Sequence, residues 1–183
     1  MPPVRFCSAC GARLPSAPPV TCPECGTRHY RNPKPGANAI VVDEDRVLLV
    51  RRAHAPWHGA WCSPGGFSEP GEHPLETVAR EVLEEAGQHI DVTAYLGVWV
   101  HEYSDEPGTD PDAEVINVAY YLARPTAREK GAVDPAEVSE VRWFRWDELP
   151  TELAPPGTLE AVLAVARATL EGSAPPLPDR PTQ

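Results

Sequence analysis

No apolar run in this chain of 183 residues approaches the length of a membrane span, and its first residues lack the apolar core of a secretion signal. A soluble, cytoplasmic protein is therefore expected. Positive charge is also scarce: 16 Lys and Arg face 27 Asp and Glu, a net charge of -11. Such a surface repels nucleic acid and anionic membranes, so neither is expected as a partner. A polyanionic substrate would need metal ions for binding as well as for chemistry. No internal repeat is visible. What the chain does have is 42% hydrophobic residues, enough for one globular domain with something small beside it.

Cysteine is sparse, but four of the five stand in two pairs, Cys7-Ser-Ala-Cys10 and Cys22-Pro-Glu-Cys25, each followed by a glycine. Two C-x2-C knuckles around a short spacer read as a zinc ribbon, with four thiolates about one structural Zn2+. Gly11 and Gly26 let the backbone turn back toward the sulfurs. Disulfides or a redox pair are the competing readings, and a reducing compartment disfavours the first. Four protein ligands leave no open position, so no catalysis is assigned there. Pro15 to Pro19 reads as a loop, and residues 28 to 36, with Arg28, Arg31 and Lys34, as a basic, proline-punctuated linker. Cys62, the fifth cysteine, reads as a packed thiol.

The stretch from Gly66 to Gln88, GFSEPGEHPLETVAREVLEEAGQ, organises the remainder. His73-Pro74 can open a helix and Gly87 can close it. Leu75, Val78, Ala79, Val82 and Ala86 recur at helical spacing as one apolar stripe. At about 100° per residue, Glu81, Glu84 and Glu85 then share an arc of roughly 100°. Hard oxygen ligands so crowded suit Mg2+ or Mn2+. A solvated acidic face is the bland alternative. Against it stand seven specified residues at fixed offsets, each with a background frequency of about one in fifteen, a pattern due by chance at under about one start position in a hundred million.

Those residues, Gly66, Glu72, Arg80, Glu81, Glu84, Glu85 and Gly87 with an aliphatic Val82, follow the spacing G-x5-E-x7-R-E-U-x-E-E-x-G-U, where U is aliphatic. The segment resembles the signature of the Nudix hydrolases at every position but the last, where Gln88 replaces an aliphatic residue. The resemblance implies an α/β fold, an α/β/α sandwich with a mixed sheet over about residues 37 to 171. It divides the chain into a ribbon over 1–32, a hydrolase domain over 33–171 and a proline-rich, disordered tail over 172–183. It implies that Glu81, Glu84 and Glu85 bind Mg2+ or Mn2+ with the carbonyl of Gly65 or Gly66, and that Arg80 pairs with Glu72. Three places are open for the general base: Glu84, a carboxylate in the acidic loop 104 to 114, and Glu137, whose distance from Trp143 resembles that of an extra metal ligand in some members.

The implied reaction is hydrolysis of a nucleoside diphosphate linked to another group. A ribbon followed by this domain resembles the NADH, FAD and nucleotide-sugar pyrophosphatases of the family. NADH is demoted because the Ser-Gln-Pro-Trp-Pro-Phe-Pro element of that branch is missing; the matching place reads Gly97-Val-Trp-Val-His101. ADP-ribose comes first, FAD or another dinucleotide next, and a nucleotide cap on RNA suits the same chemistry. Tyr103 stands where diadenosine-polyphosphate hydrolases tend to carry tyrosine and ADP-ribose enzymes proline. Trp57, Trp99 and Tyr103 could stack on a base, whereas His54 and His58 read as solvated loop residues. A homodimer stays open. The alternative class is a nucleotide sensor or a nucleic-acid-binding regulator, which the complete set of box carboxylates opposes.

Overall fold

The computed structural model describes residues 4–106, 108–109, 113–126, 131, 133 and 136–172. Its first unit is small: a two-stranded sheet of β1 (Val20–Thr21) and β2 (Arg28–His29), packed with Cys7, Leu14 and Cys22 as a minor core. The remainder is built on one seven-stranded sheet. Its strands are β3 (Lys34–Asp43), β4 (Arg46–Arg52), β5 (Trp61–Cys62), β6 (Gly65–Phe67), β7 (Ile90–Tyr103), β8 (Glu114–Pro125) and β9 (Val138–Arg145). Five of them run in the order β5-β4-β3-β8-β7, with β6 added to β3 and β9 to β4. Only β3 and β8 pair in parallel, so the sheet is mixed.

Alternation along the central strands produces two buried faces. Ala37, Ala39 and Val41 of β3, with Leu48, Val50, Tyr121 and Ala123, meet α1 (Pro74–Ala86) through Val78, Val82 and Ala86. Ile40 and Val42, with Val47, Leu49, Val118, Tyr120 and Leu122, meet α2 (Thr158–Leu170) through Leu159, Val162, Leu163 and Ala166. The result is an α/β/α sandwich. No helix among the described residues is long and apolar enough to cross a membrane.

Helix α1 is capped at both ends by its own sequence. His73 Nδ1 accepts from the Leu75 amide at 3.2 Å, and Glu76 accepts from the His73 amide at 2.8 Å. Gly87 closes the helix at φ 63°, in the left-handed region that glycine enters freely. The buried stripe, however, is Thr77, Val78, Glu81, Val82 and Ala86. Leu75 and Ala79, expected in that stripe, are exposed. The helix is rolled so that Glu81, not the apolar first turn, faces the sheet.

Two further boundaries differ from the sequence expectation. The linker over 28 to 36 contains β2 and the start of β3, because Lys34 to Gly36 pair with β8 and β6 rather than run free. The loop over 51 to 65 contains β5 and the first residue of β6. The tail beyond Gly172 lies outside the described residues.

Val82 is wholly buried at the centre of the face beneath α1. Val82→Ala is expected to cost about 2 kcal/mol and to lower the melting temperature by about 5 °C in calorimetry, with the far-UV spectrum unchanged.

Candidate active site and zinc centre

Strand β6 approaches β3 so closely that its glycines admit no side chain. Gly65 and Gly66 stand opposite Asn38 and Ala37. A Cβ on Gly65, whose φ is 149°, would lie 2.5 Å from the Ala37 carbonyl oxygen and the Asn38 Cα. A Cβ on Gly66 would lie 2.5 Å from the Glu81 carboxyl carbon. The glycine pair therefore sets the box loop directly against the helix carboxylates. Glu85 Oε2 accepts from the Gly65 amide at 2.8 Å.

Arg80 gathers the neighbouring charges. Its Nε and Nη2 donate to the two Glu72 oxygens at 2.8 and 3.0 Å, its Nη1 to Glu81 at 2.8 Å and Glu84 at 3.0 Å, and its Nη2 also to the Phe67 carbonyl at 3.1 Å. That forked pairing, with the Glu69 amide and Thr77 hydroxyl, holds the Glu72 carboxyl down at about 2 and raises the Arg80 pKa. Burial raises Glu85 to about 8, against the Gly65 amide, and the nearby charges of Glu81 and Glu137 push the same way. Glu81 is likewise raised, first by burial, with Arg80 opposing. Glu84 is half exposed and turned to Arg80.

A cavity of about 420 Å3 opens over this surface. Its carboxylates among the described residues are Glu69, Glu81, Glu85 and Glu137; Glu84 does not line it. Nor do the described carboxylates of the acidic loop, two of which are tied elsewhere. Asp105 accepts from the Trp57 amide, and Glu114 pairs with Lys34 at 2.7 Å. Asp110 and Asp112 of that loop lie outside the described residues. His54, Trp57 and Tyr103 line the cavity, while His58 and Trp99 do not, Trp99 packing on the core beneath α2.

Arg52, Phe67 and His101 also line this cavity and were missed by the sequence reading. Arg52 is the telling one. Its Nε donates to the Pro56 carbonyl at 2.7 Å and its Nη2 to the Tyr103 hydroxyl at 2.8 Å. Its guanidinium carbon lies 5.6 Å from both the Trp57 and Tyr103 ring centres. Among the described residues it has no carboxylate within ion-pair distance, although it is largely buried. A desolvated cation with no carboxylate in contact is suited to meet the anion of a ligand. The only signal was an arginine ending a buried strand. Burial lowers the His101 pKa to about 4, leaving a neutral ring beside Trp57. Burial first, then Glu85, pushes the Cys62 thiol up to about 12, so it packs and does not attack.

In the ribbon, one ligand atom from each of Cys7, Cys10, Cys22 and Cys25 lies within 4.8 Å of the others. The Cys7–Cys25 and Cys10–Cys22 sulfurs are 3.5 and 3.7 Å apart. A tetrahedron with Zn–S bonds of about 2.3 Å has edges of about 3.8 Å, so the set fits zinc as it stands. Gly11 and Gly26, at φ 75° and 74°, donate their amides to the Cys7 and Cys22 carbonyls and close the two knuckles. His29 Nε2 lies 3.3 Å from Cys7 Sγ.

Comparison with known proteins agrees with this geometry. The NAD-capped RNA hydrolase NudC of Stutzerimonas stutzeri is 31% identical over 91% of this chain and 55% of its own length. The chain thus spans a little over half of that relative. The ADP-ribose pyrophosphatase of Methanocaldococcus jannaschii is 32% identical over 67% of this chain and 68% of its own. Among solved structures, a Nudix hydrolase from Nitrosomonas europaea superposes with a TM-score of 0.73 at 29% identity, covering 92% of this chain and 94% of that one. The model of the NUDIX domain matches residues 32–164, the whole span from the ribbon's exit into α2, and with it this chain belongs to the Nudix hydrolase family.

Proposed function

We propose that this chain uses Mg2+ or Mn2+ to hydrolyse the pyrophosphate bond of a nucleoside diphosphate linked to a second group, releasing a nucleoside monophosphate. ADP-ribose is the first substrate in this reading, FAD or another dinucleotide the next. One observation carries it: Glu81, Glu85 and Glu137 line a single cavity with Gly65 and Gly66, and the carboxylate-free Arg52 guanidinium lines it too.

The residues present fit the metal. Burial raises both Glu81 and Glu85; the charges of Glu84 and Glu137 add to it at Glu81 and those of Glu81 and Glu137 at Glu85, a cost that a bound divalent cation would relieve. They would hold it with the carbonyl of Gly65 or Gly66, Glu84 standing at the edge. When bound, the ion polarises the phosphoryl oxygens and acidifies a coordinated water. Arg80, forked on Glu72, keeps helix and loop in register around these ligands. Of the three places open for the base, Glu137 is the one on the cavity wall among the described residues. In this mechanism Glu137 takes the proton of the attacking water as its oxygen bonds to phosphorus. The bond from phosphorus to the bridging oxygen breaks, and the leaving phosphate carries the charge away. Arg52 offers its unused N–H donors to the phosphates. Trp57, Phe67 and Tyr103 supply flat apolar wall for a base.

The names of the NudC relatives support a second reading with the same chemistry, in which the second group is an RNA chain. A sensor without turnover is opposed by the full carboxylate set. The test is nucleoside monophosphate release from ADP-ribose, FAD, NADH, a diadenosine polyphosphate and a nucleoside triphosphate, in Mg2+ and then Mn2+. Metal-dependent turnover of one diphosphate-linked compound is expected. Glu85→Gln is expected to abolish it with the circular dichroism spectrum intact, and full activity in that variant would remove the mechanism. Glu137→Gln is expected to lower kcat at least tenfold; an unchanged rate would return Glu137 to a structural role. Arg52→Ala is expected to lower kcat/KM by about tenfold to a hundredfold, mostly through KM, with Arg52→Lys recovering only part.

A further inference from the structure

We propose that Asp105 is a positioning residue: through a single peptide group it sets both the Arg52 guanidinium and the Trp57 ring, and so fixes the reach between the diphosphate and the base of the substrate. The proposal rests on the hydrolase reading above and gives the acidic loop its part in it.

Pro56 and Trp57 share one peptide bond, and both of its polar atoms are taken. The Pro56 carbonyl accepts from Arg52 Nε at 2.7 Å, and the Trp57 N–H donates to Asp105 Oδ1. A guanidinium and a carboxylate thus grip opposite ends of one peptide dipole, and each bond polarises the group for the other. Trp57 sits at φ 60°, in the left-handed region that a bulky side chain enters only under constraint. Glu44, the other described non-glycine residue with a positive φ, lies in the short turn between β3 and β4, whereas Trp57 lies on the cavity wall. Tyr103, two residues before Asp105, completes the grip. Its hydroxyl accepts from Arg52 Nη2 at 2.8 Å, and its ring meets Trp57 edge-on, with 5.6 Å between centres. The end of β7 and the residues just beyond it therefore hold Arg52 and Trp57 together.

The Asp105 contact is not what closes either loop. The loop that carries Trp57 is closed by the Gly59 amide on the Arg52 carbonyl at 2.9 Å and by the Ala60 amide on the Trp57 carbonyl at 3.0 Å. The acidic loop has its own bonds, from the Glu106 amide to the Ser104 hydroxyl at 3.2 Å and from the Gly108 amide to Glu102 at 2.6 Å. What Asp105 adds is the orientation of the peptide that Arg52 also grips. Without it that peptide can turn, Trp57 can relax to a negative φ, and ring and cation lose their common anchor. Asp105 is exposed and does not line the cavity, so it acts on a ligand through those two residues.

The test separates KM from kcat and binding from turnover. Asp105→Ala and Asp105→Asn are compared with the wild type on the compound of the panel that is turned over. Asp105→Ala is expected to raise KM about tenfold with kcat within about twofold; Asp105→Asn, which keeps an acceptor oxygen, is expected to raise it only about threefold. In an Arg52→Ala/Trp57→Ala background, Asp105→Ala is expected to change kcat/KM by less than about twofold, since nothing is left for it to position. ADP-ribose binding with Mg2+, followed by titration calorimetry in the Glu85→Gln background, is expected to weaken about tenfold when Asp105→Ala is added. An unchanged KM, a full effect in the Arg52→Ala/Trp57→Ala background, or a loss confined to kcat, which would make Asp105 the base, would each overturn the positioning role. Binding that depends on Asp105 without turnover of any compound would leave that role standing and count against the hydrolase reading alone. No turnover and no ADP-ribose binding would overturn both. Should Asp105→Ala lose the wild-type circular dichroism spectrum, Asp105→Asn carries the same comparisons, and an unchanged KM there sinks the proposal equally.

Discussion

Glu85 presses its carboxylate against the Gly65 amide in a site where burial and two neighbouring carboxylates all disfavour its charge. Much of the surrounding architecture manages that strain. Arg80 spans Glu72, Glu81 and Glu84, so the box helix and the loop before it share one cation. Helix α1 is rolled to bring Glu81 down to the sheet, which leaves Leu75 in solvent. The apolar stripe alone would favour a different roll; the carboxylates and the glycines beneath them override it.

Strand β3 joins everything that matters to the site. Its first half pairs with β6 and so fixes Gly65 and Gly66, its second half pairs with β4 and so fixes the strand that ends at Arg52, and along its other edge it runs parallel to β8. Because the ribbon feeds directly into Lys34, the small unit and the cavity share this one strand. The ribbon has a small hydrophobic core, with Cys7, Leu14 and Cys22 as its buried members, and its four clustered cysteines offer a metal site that would answer that deficit.

How much could be read in advance depended on whether the determining interactions were local. The ends of α1 were legible because His73, Pro74 and Gly87 act on their own neighbours. The two cysteine knuckles were legible for the same reason, Gly11 and Gly26 turning each one back on itself. The central hairpin and the long strands declared themselves by alternation and β-branched content, and the mixed α/β class followed. The start of β3 was not legible: Lys34-Pro-Gly36 has the composition of a linker and becomes strand only by pairing with residues about 30 and 80 positions away. Arg52 was missed because nothing in sequence reveals that Trp57 and Tyr103 will close on it. The acidic loop was legible only as acidic, since a run of carboxylates cannot disclose that Asp105 will bind the Trp57 amide and Glu114 the Lys34 ammonium.

The two adjacent glycines of β6 differ in what would fill the space beside them. A side chain at Gly65 would strike the backbone of β3, which cannot yield without undoing the sheet; one at Gly66 would strike the end of the Glu81 side chain, which can swing aside. Drift at the first position removes the protein from the population of folded chains. Drift at the second leaves a folded chain with its carboxylate displaced. The second position thus separates fold from site: a side chain there would leave a stable scaffold that keeps its sheet and holds the Glu81 carboxylate in a different place.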